Sequence, residues 1–232
     1  AFSELNQGVE EIDTWRGLDK AKIAVGTLPL ARTQVLPQAI NELTAMRPDV
    51  HVSVVDGPYD DLLHGLRHGE LDLLIGALRD PVPNDDVVQD VLFNDELEVV
   101  ARTGHPLADR VSLTAQDLAG FTWVVPRSGT PTRQHYDALF HEEGLVPPAR
   151  IIVSSSLILI RGLLLGSDRL TLISAHQIQH EARQGLLQRL EYDLQHTSRP
   201  IGTTVRRDWQ PTATQSLLLE LLRRASEVLP DA

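Results

Sequence analysis

The stretch Lys22-Ile-Ala-Val-Gly-Thr-Leu-Pro-Leu-Ala-Arg32-Thr-Gln-Val-Leu-Pro37 decides how the rest of the chain is read. Ile23 and Val25 belong to a short apolar run that stops at Gly26, the pattern of a buried strand. Helical spacing follows, with Leu36, Ile40 and Leu43 at i, i+4 and i+7, and Pro37 in an early turn where it is tolerated. Residues 27–33 therefore leave the carboxyl end of a strand and enter the amino end of a helix. In open α/β sheets ligands sit at such junctions, because helix amino ends carry free N–H groups and a positive dipole end. A hydroxyl at Thr27 and a guanidinium at Arg32 suit a small anion, although a plain connection with a solvated arginine would look the same.

Working outward, residues 22–76 read as βαβαβ: strand 22–26, helix 34–46 ended by Arg47-Pro48, and a second strand through Val50, Val52, Val54 and Val55. A short helix carrying Leu62, Leu63 and Leu66 and a third buried strand at Leu71–Gly76 complete it. Alternation of this kind predicts a parallel sheet covered by helices on both faces. After a polar, proline-rich loop at 79–86, Val87–Phe93 and Leu97–Arg102 read as two strands, and Thr103-Gly-His-Pro106 marks the crossing into a second domain.

That second unit repeats the theme. Thr114 to Asp117 forms a capping box, 121–125 is a strand, and Thr130 before Pro131 is an N-cap with proline at the first helical position. Ile151–Val153 is a strand, Ser154 to Ser156 a cap, and Leu157–Leu165 a buried helix. A strand at 170–173, a helix at 175–184 and a strand at 186–190 follow. Beyond them lie a strand at 201–206 and a helix from Pro211 to Ala225 that is apolar around much of its circumference. Such a helix needs a large partner surface, and returning it to the first domain gives two chain crossings and a hinge. The predicted division is therefore 20–100 with 200–232 against 101–199. Residues 1–19 are polar with Leu5, Val9 and Ile12 at helical spacing, and read as the end of a longer helix.

Composition narrows the function. The sequence of 232 residues has no cysteine, which excludes disulfide scaffolds, thiol catalysis and Cys-based zinc sites. A net charge of −11 would repel a phosphate backbone, so these residues alone are not expected to bind nucleic acid. The longest apolar run, 157–165, is interrupted by Arg161 and too short to span a bilayer. No basic-then-apolar leader opens the sequence.

Nor is there a dinucleotide, P-loop or nucleophile-elbow motif, so no cofactor is expected. The pairs His64/His68 and His176/His180 have helical spacing but lack the glutamate placement of a metalloprotease helix, so no metal site and no catalytic residue is assigned. What remains is a recurring chemistry of hydroxyls and arginines at strand-to-helix junctions: Thr27 with Arg32, Ser128-Gly129-Thr130 with Arg133, and Ser154 to Ser156 with Arg161.

Several stretches then resemble the effector-binding domain of LysR-type transcriptional regulators. They are Ile23 to Thr27, Leu36-Pro37 with Arg47 to Val50, Leu66 to Gly76 (LRHGELDLLIG), Asp95 to Pro106 (DELEVVARTGHP) and Asp117-Leu118. The resemblance covers about residues 20–228 and departs from the family at Gly166 to Leu170 and Ile173-Ser174. It implies an α/β fold of two Rossmann-like lobes with a central cleft, like the type 2 periplasmic binding proteins, and a non-catalytic, cytoplasmic sensor. It also implies a small anionic or hydroxylated metabolite as effector, a homodimer (a tetramer at full length), DNA contact only through an amino-terminal helix-turn-helix, and no membrane partner. Residues 1–19 become the end of the linker helix. The ligand contacts carried over are Thr27 and Leu28; Ser128, Gly129 and Thr130; and Ser155 and Ser156, with Arg32 and Arg133 as charge partners. Two rival readings use the same architecture: a periplasmic solute-binding protein, and a small-molecule lyase or dehydratase for which no acid/base residue stands out.

Overall fold

A computed structural model describes residues 22–194 and 197–229; the linker helix read over 1–19 lies outside the described residues. The chain divides into two compact units, residues 22–94 with 199–229, and residues 95–194 with 197–198.

In the first unit, strands β1 (Lys22–Thr27), β2 (His51–Asp56), β3 (Leu73–Ala77), β4 (Val87–Asp95) and β10 (Arg199–Arg206) form one sheet in the order β2-β1-β3-β10-β4. β1 is parallel to both β2 and β3, whereas β10 runs antiparallel to β3, with Ile201 opposite Ala77. The sheet is therefore mixed rather than wholly parallel. Alternate residues feed opposite faces. Ile23, Val25, Leu73 and Ile75 pack with helices α1 (Val35–Met46) and α7 (Ala213–Glu227), while Leu74 joins Leu62, Leu63 and Leu66 of α2 (Tyr59–Arg67). Leu218, Leu221, Leu222 and Ala225 of α7 are buried in the first of these clusters. The opening of α7 is fixed by a reciprocal pair: Gln215 N–H donates to Thr212 Oγ1 at 3.3 Å and Thr212 N–H to Gln215 Oε1 at 2.9 Å.

In the second unit, strands β5 (Leu97–Arg102), β6 (Trp123–Val125), β7 (Ile151–Val153), β8 (Leu170–Ser174) and β9 (Leu187–Arg189) form a sheet in the order β7-β6-β8-β5-β9. β6 is parallel to β7 and β8, and β5 is antiparallel to β8 and β9. Helices α3 (Ala115–Ala119) and α4 (Pro131–His141) cover one face around Trp123, whose ring meets Tyr136 and Phe140 edge-on at 5.1 and 5.8 Å. The Trp123 indole N–H donates to Leu118 O at 3.2 Å. Helices α5 (Leu157–Leu165) and α6 (Ala175–Arg183) cover the other face around Val100, Val124 and Ile173.

Two expectations are corrected. The crossing between units falls at Asn94–Asp95, one strand before Thr103–Pro106, because β5 pairs with β8 and β9 and so belongs to the second sheet. Helix α5 is not buried throughout: Ile160 and Leu164 face the sheet, while Ile158 is 82% and Leu159 49% exposed. Its contacts with the sheet and with α6 leave the outer face without a neighbour among the described residues of the unit.

Candidate functional site

The hydroxyl residues singled out in the sequence sit where the chain leaves a parallel strand, at the ends of Lys22–Thr27, Trp123–Val125 and Ile151–Val153. In the second unit, β6 and β7 lie side by side with Val125 opposite Val153, so the segments that follow them emerge together at the carboxyl edge. Ser154 N–H donates to Val125 O at 2.9 Å and holds the two exits in register. After β6 come Ser128 and Gly129, the glycine with φ +84°, a left-handed turn conformation that a side chain would strain. Thr130 then caps α4, its Oγ1 accepting from Arg133 N–H at 3.4 Å and donating to Arg127 O at 3.0 Å. After β7, Ser154 Oγ accepts from Ser156 N–H at 3.1 Å, and Ser156 Oγ caps α5 through Leu159 N–H at 3.5 Å. Thr130 and Ser156 are thus committed to helix caps. The exposed side chains of Ser128 and Ser155 have no partner among the described residues.

In the first unit the corresponding edge carries Thr27 and Leu28. Thr27 is fully buried, and its hydroxyl donates to Leu28 O at 3.2 Å. Leu28 N–H donates to Ile75 O at 3.0 Å, which draws the turn across the end of β3. A short 3-10 turn, Pro29–Arg32, then leads into α1.

Both arginines nominated as charge partners hold carboxylates of their own. Arg32 lies 3.1 Å from Asp56 at the end of β2, and Arg133 lies 3.0 Å from Asp137 one helical turn on, with its guanidinium 5.5 Å from the Tyr136 ring. The third, Arg161, pairs with the buried Glu181 of α6.

Two groups escaped the sequence reading. At the carboxyl end of β8, Ser174 is buried, caps α6 by accepting from His176 N–H at 3.2 Å, and donates to Asp95, the first residue of the second unit. Thr197, also buried, exchanges hydrogen bonds with the backbone of Leu97 at 3.4 and 3.5 Å. These residues come from three separated segments, so no local motif announces them. In the first unit, Tyr59 opens α2 and stacks against Arg79, whose guanidinium carbon is 4.3 Å from the ring centre. Among the described residues no group of His, Asp and Glu is arranged to hold a metal ion. No helix among them is long and apolar enough to cross a membrane.

These two α/β units gather hydroxyls and helix amino ends at strand exits, the build of a small-molecule binding domain. The LysR substrate binding domain family matches residues 16–227, and the chain belongs to that family. It is similar to the HTH-type transcriptional regulator GalR of Pseudomonas putida, 41% identical over 202 residues that cover 87% of this chain and 51% of GalR. The chain thus spans about half of GalR's length. It is also similar to the HTH-type transcriptional regulator PcaQ of Agrobacterium fabrum, 29% identical over 236 residues, covering 99% of this chain and 74% of PcaQ. Among solved structures, the regulatory domain of Synechocystis CcmR in complex with 2-PG superimposes with a TM-score of 0.76 at 20% identity, covering 91% of this chain and all of that one. A mutant of Corynebacterium glutamicum OxyR gives a TM-score of 0.72 at 22% identity, covering 97% of this chain and 71% of that one. These last two likenesses are of fold.

Proposed function

We propose that this chain is the effector-sensing part of a DNA-binding transcriptional regulator, with its two units as the lobes of the sensor. Membership of the LysR substrate binding domain family along nearly the whole chain carries the reading, and the GalR and PcaQ relatives are named as transcriptional regulators. On this reading the chain acts by binding and not by catalysis, in the cytoplasm where DNA is read, and contacts DNA through a domain outside this sequence.

The effector is a small anionic or hydroxylated molecule. The unpartnered hydroxyls of Ser128 and Ser155 support this, since each offers a donor and two acceptor lone pairs beside the amino end of a helix. Gly129, Thr130 and Ser156 shape the same edge, and Thr27 and Leu28 shape the edge of the first unit. Arg32 and Arg133, each paired with a carboxylate in the free chain, are the charge partners for an anionic effector.

The regulator reading also includes a homodimer. β2 is an edge strand with Val54 44% and Val55 41% exposed, and α5 presents Ile158 and Leu159, which gives each unit an apolar surface for a second copy. Sedimentation at tens of micromolar, a range set on the order of weak-dimer affinities, should show a species heavier than 25.7 kDa. A monomer alone would refute the dimer.

The reading as a whole is tested by a thermal-shift screen of small carboxylates, phosphates and hydroxy acids, followed by calorimetry. A ligand at a hundred times its Kd should stabilise the chain by about 2.7 kcal/mol. A screen in which no such molecule binds would refute it.

A further inference from the structure

We propose that Arg79 and Tyr59 form a carboxylate-binding subsite at the carboxyl edge of the first unit, which receives the acid group of a small apolar carboxylate. This rests on the effector-sensing reading above and deepens it.

β2, β1 and β3 are adjacent and parallel, so the segments that follow them share one edge: Tyr59 after β2, Leu28 after β1 and Arg79 after β3. The Arg79 main chain is held from the side by Gln89 of β4. Its N–H donates to Gln89 Oε1 at 2.9 Å, and its carbonyl accepts from Gln89 Nε2 at 2.9 Å. The guanidinium lies over the Tyr59 ring at 4.3 Å, a support that fixes its plane while leaving its N–H edge available. Among the described residues no carboxylate lies within ion-pair distance of Arg79, although Arg32 on the same edge is taken by Asp56. A partly buried guanidinium with a fixed plane and no counter-ion is matched by a planar, bidentate anion.

Tyr59 supplies the second observation. Its ring packs with Leu28 against Leu62, Leu63, Leu74 and Val87, but its hydroxyl is sealed from solvent and bonds to nothing. A buried polar group of this kind calls for a partner. Burial pushes the phenol above its ordinary value, so at neutral pH the hydroxyl keeps its proton and can donate. The apolar wall of Leu28 and its neighbours suits a hydrocarbon body behind the acid group. Asp60, whose charge reaches Tyr59, its neighbour Asp61, and Asp80 beside Arg79 disfavour a multiply charged phosphate.

The test is an NMR titration of the chain with butyrate, inorganic phosphate or chloride at constant ionic strength, following the Arg79 Nε–Hε and Tyr59 ring resonances. Butyrate should produce a saturable shift at both with Kd on the order of 1 mM; phosphate and chloride should not. Arg79→Gln, read at the Tyr59 ring, should abolish the butyrate shift. Tyr59→Phe keeps the ring and removes only the hydroxyl, and should weaken butyrate three- to tenfold. Gln89→Ala, which frees the Arg79 main chain, should weaken it as well. No saturable butyrate shift, or an equal Kd in Arg79→Gln, would overturn the subsite. The two readings fail separately. A butyrate shift at Arg79 with no effector from the wider screen sinks the sensor but keeps the subsite. An effector bound with equal affinity by the parent and Arg79→Gln, with no butyrate shift, does the reverse.

Discussion

Alanine at Gly202 and alanine at Gly162 should move stability in opposite directions, because the two glycines are present for different reasons. Gly202 lies in β10 opposite Gly76, and a Cβ placed on it would run into Asp90 O of β4 and meet Asp90 C at 2.9 Å and a Leu78 methyl at 3.0 Å. Two of those atoms are backbone of the adjoining strand, so no rotamer change relieves the clash. The strand must retreat by roughly 1 Å or more, against overpacking costs of typically 1–3 kcal/mol, and we expect about 3 kcal/mol. Gly162 is in the middle of α5 with nothing within 4 Å of the added Cβ. There alanine only restricts the unfolded chain and restores helix propensity, so it should stabilise by about 0.5–1 kcal/mol. Urea titrations of both variants, followed by circular dichroism and by Trp fluorescence, read the effect as a shift of midpoint at unchanged slope. Because the two glycines lie in different units, the Gly202→Ala loss should appear in the transition that reports on the first unit. If Gly202→Ala costs less than about 0.5 kcal/mol, within the range of an ordinary surface change, the close approach of β10 and β4 is wrong.

Other substitutions test the packing and the titrating groups. Leu222→Ala removes a fully buried side chain from between α7 and α1, and should cost about 2–5 kcal/mol by urea midpoint. His105 is buried beside the Phe121 ring, and its Nδ1 accepts from Leu107 N–H at 3.1 Å, so the folded state holds it neutral and burial lowers its pKa below the usual 6.5. The unfolded chain therefore takes up that proton more readily. The stability His105 contributes is whole above pH 6.5 and is lost as pH falls through the lower folded value. A His105→Asn variant should show a smaller loss of stability than the parent between ~pH 7.5 and ~pH 5.5, either side of the ordinary histidine range; equal losses would show that the histidine is not held neutral.

Local chemistry was legible in the sequence wherever the partners are close along the chain. β1 and α1 follow from an apolar run and an i, i+4, i+7 pattern, and the caps at Thr114, Thr130 and Ser156 follow from hydroxyls placed before helical runs. Long-range choices were not legible. LEVVAR at 97–102 declares a strand but not its partner, and only its pairing with β8 and β9 moves the crossing back to Asn94. LILIRGLLL at 157–165 is apolar at nearly every position, so periodicity gives no inner face; the sheet beneath selects Ile160 and Leu164. The arginines show the same limit, since Arg32 looks available until β2 brings Asp56 beside it. Tyr59 and Arg79 carry no motif at all and meet only because β2 and β3 flank β1.

The most direct measurement compares four hydroxyl truncations on one sheet edge, using the effector found by screening. Thr130→Ala and Ser156→Ala remove helix caps and should each cost about 1 kcal/mol of stability. Ser128→Ala and Ser155→Ala remove hydroxyls without partners and should leave stability within about 0.5 kcal/mol of the parent. For binding, the account predicts that Ser128→Ala and Ser155→Ala each weaken the effector by roughly ten- to a hundredfold, the loss of one hydrogen bond to a charged group. Calorimetric affinities for both variants equal to that of the parent would contradict it.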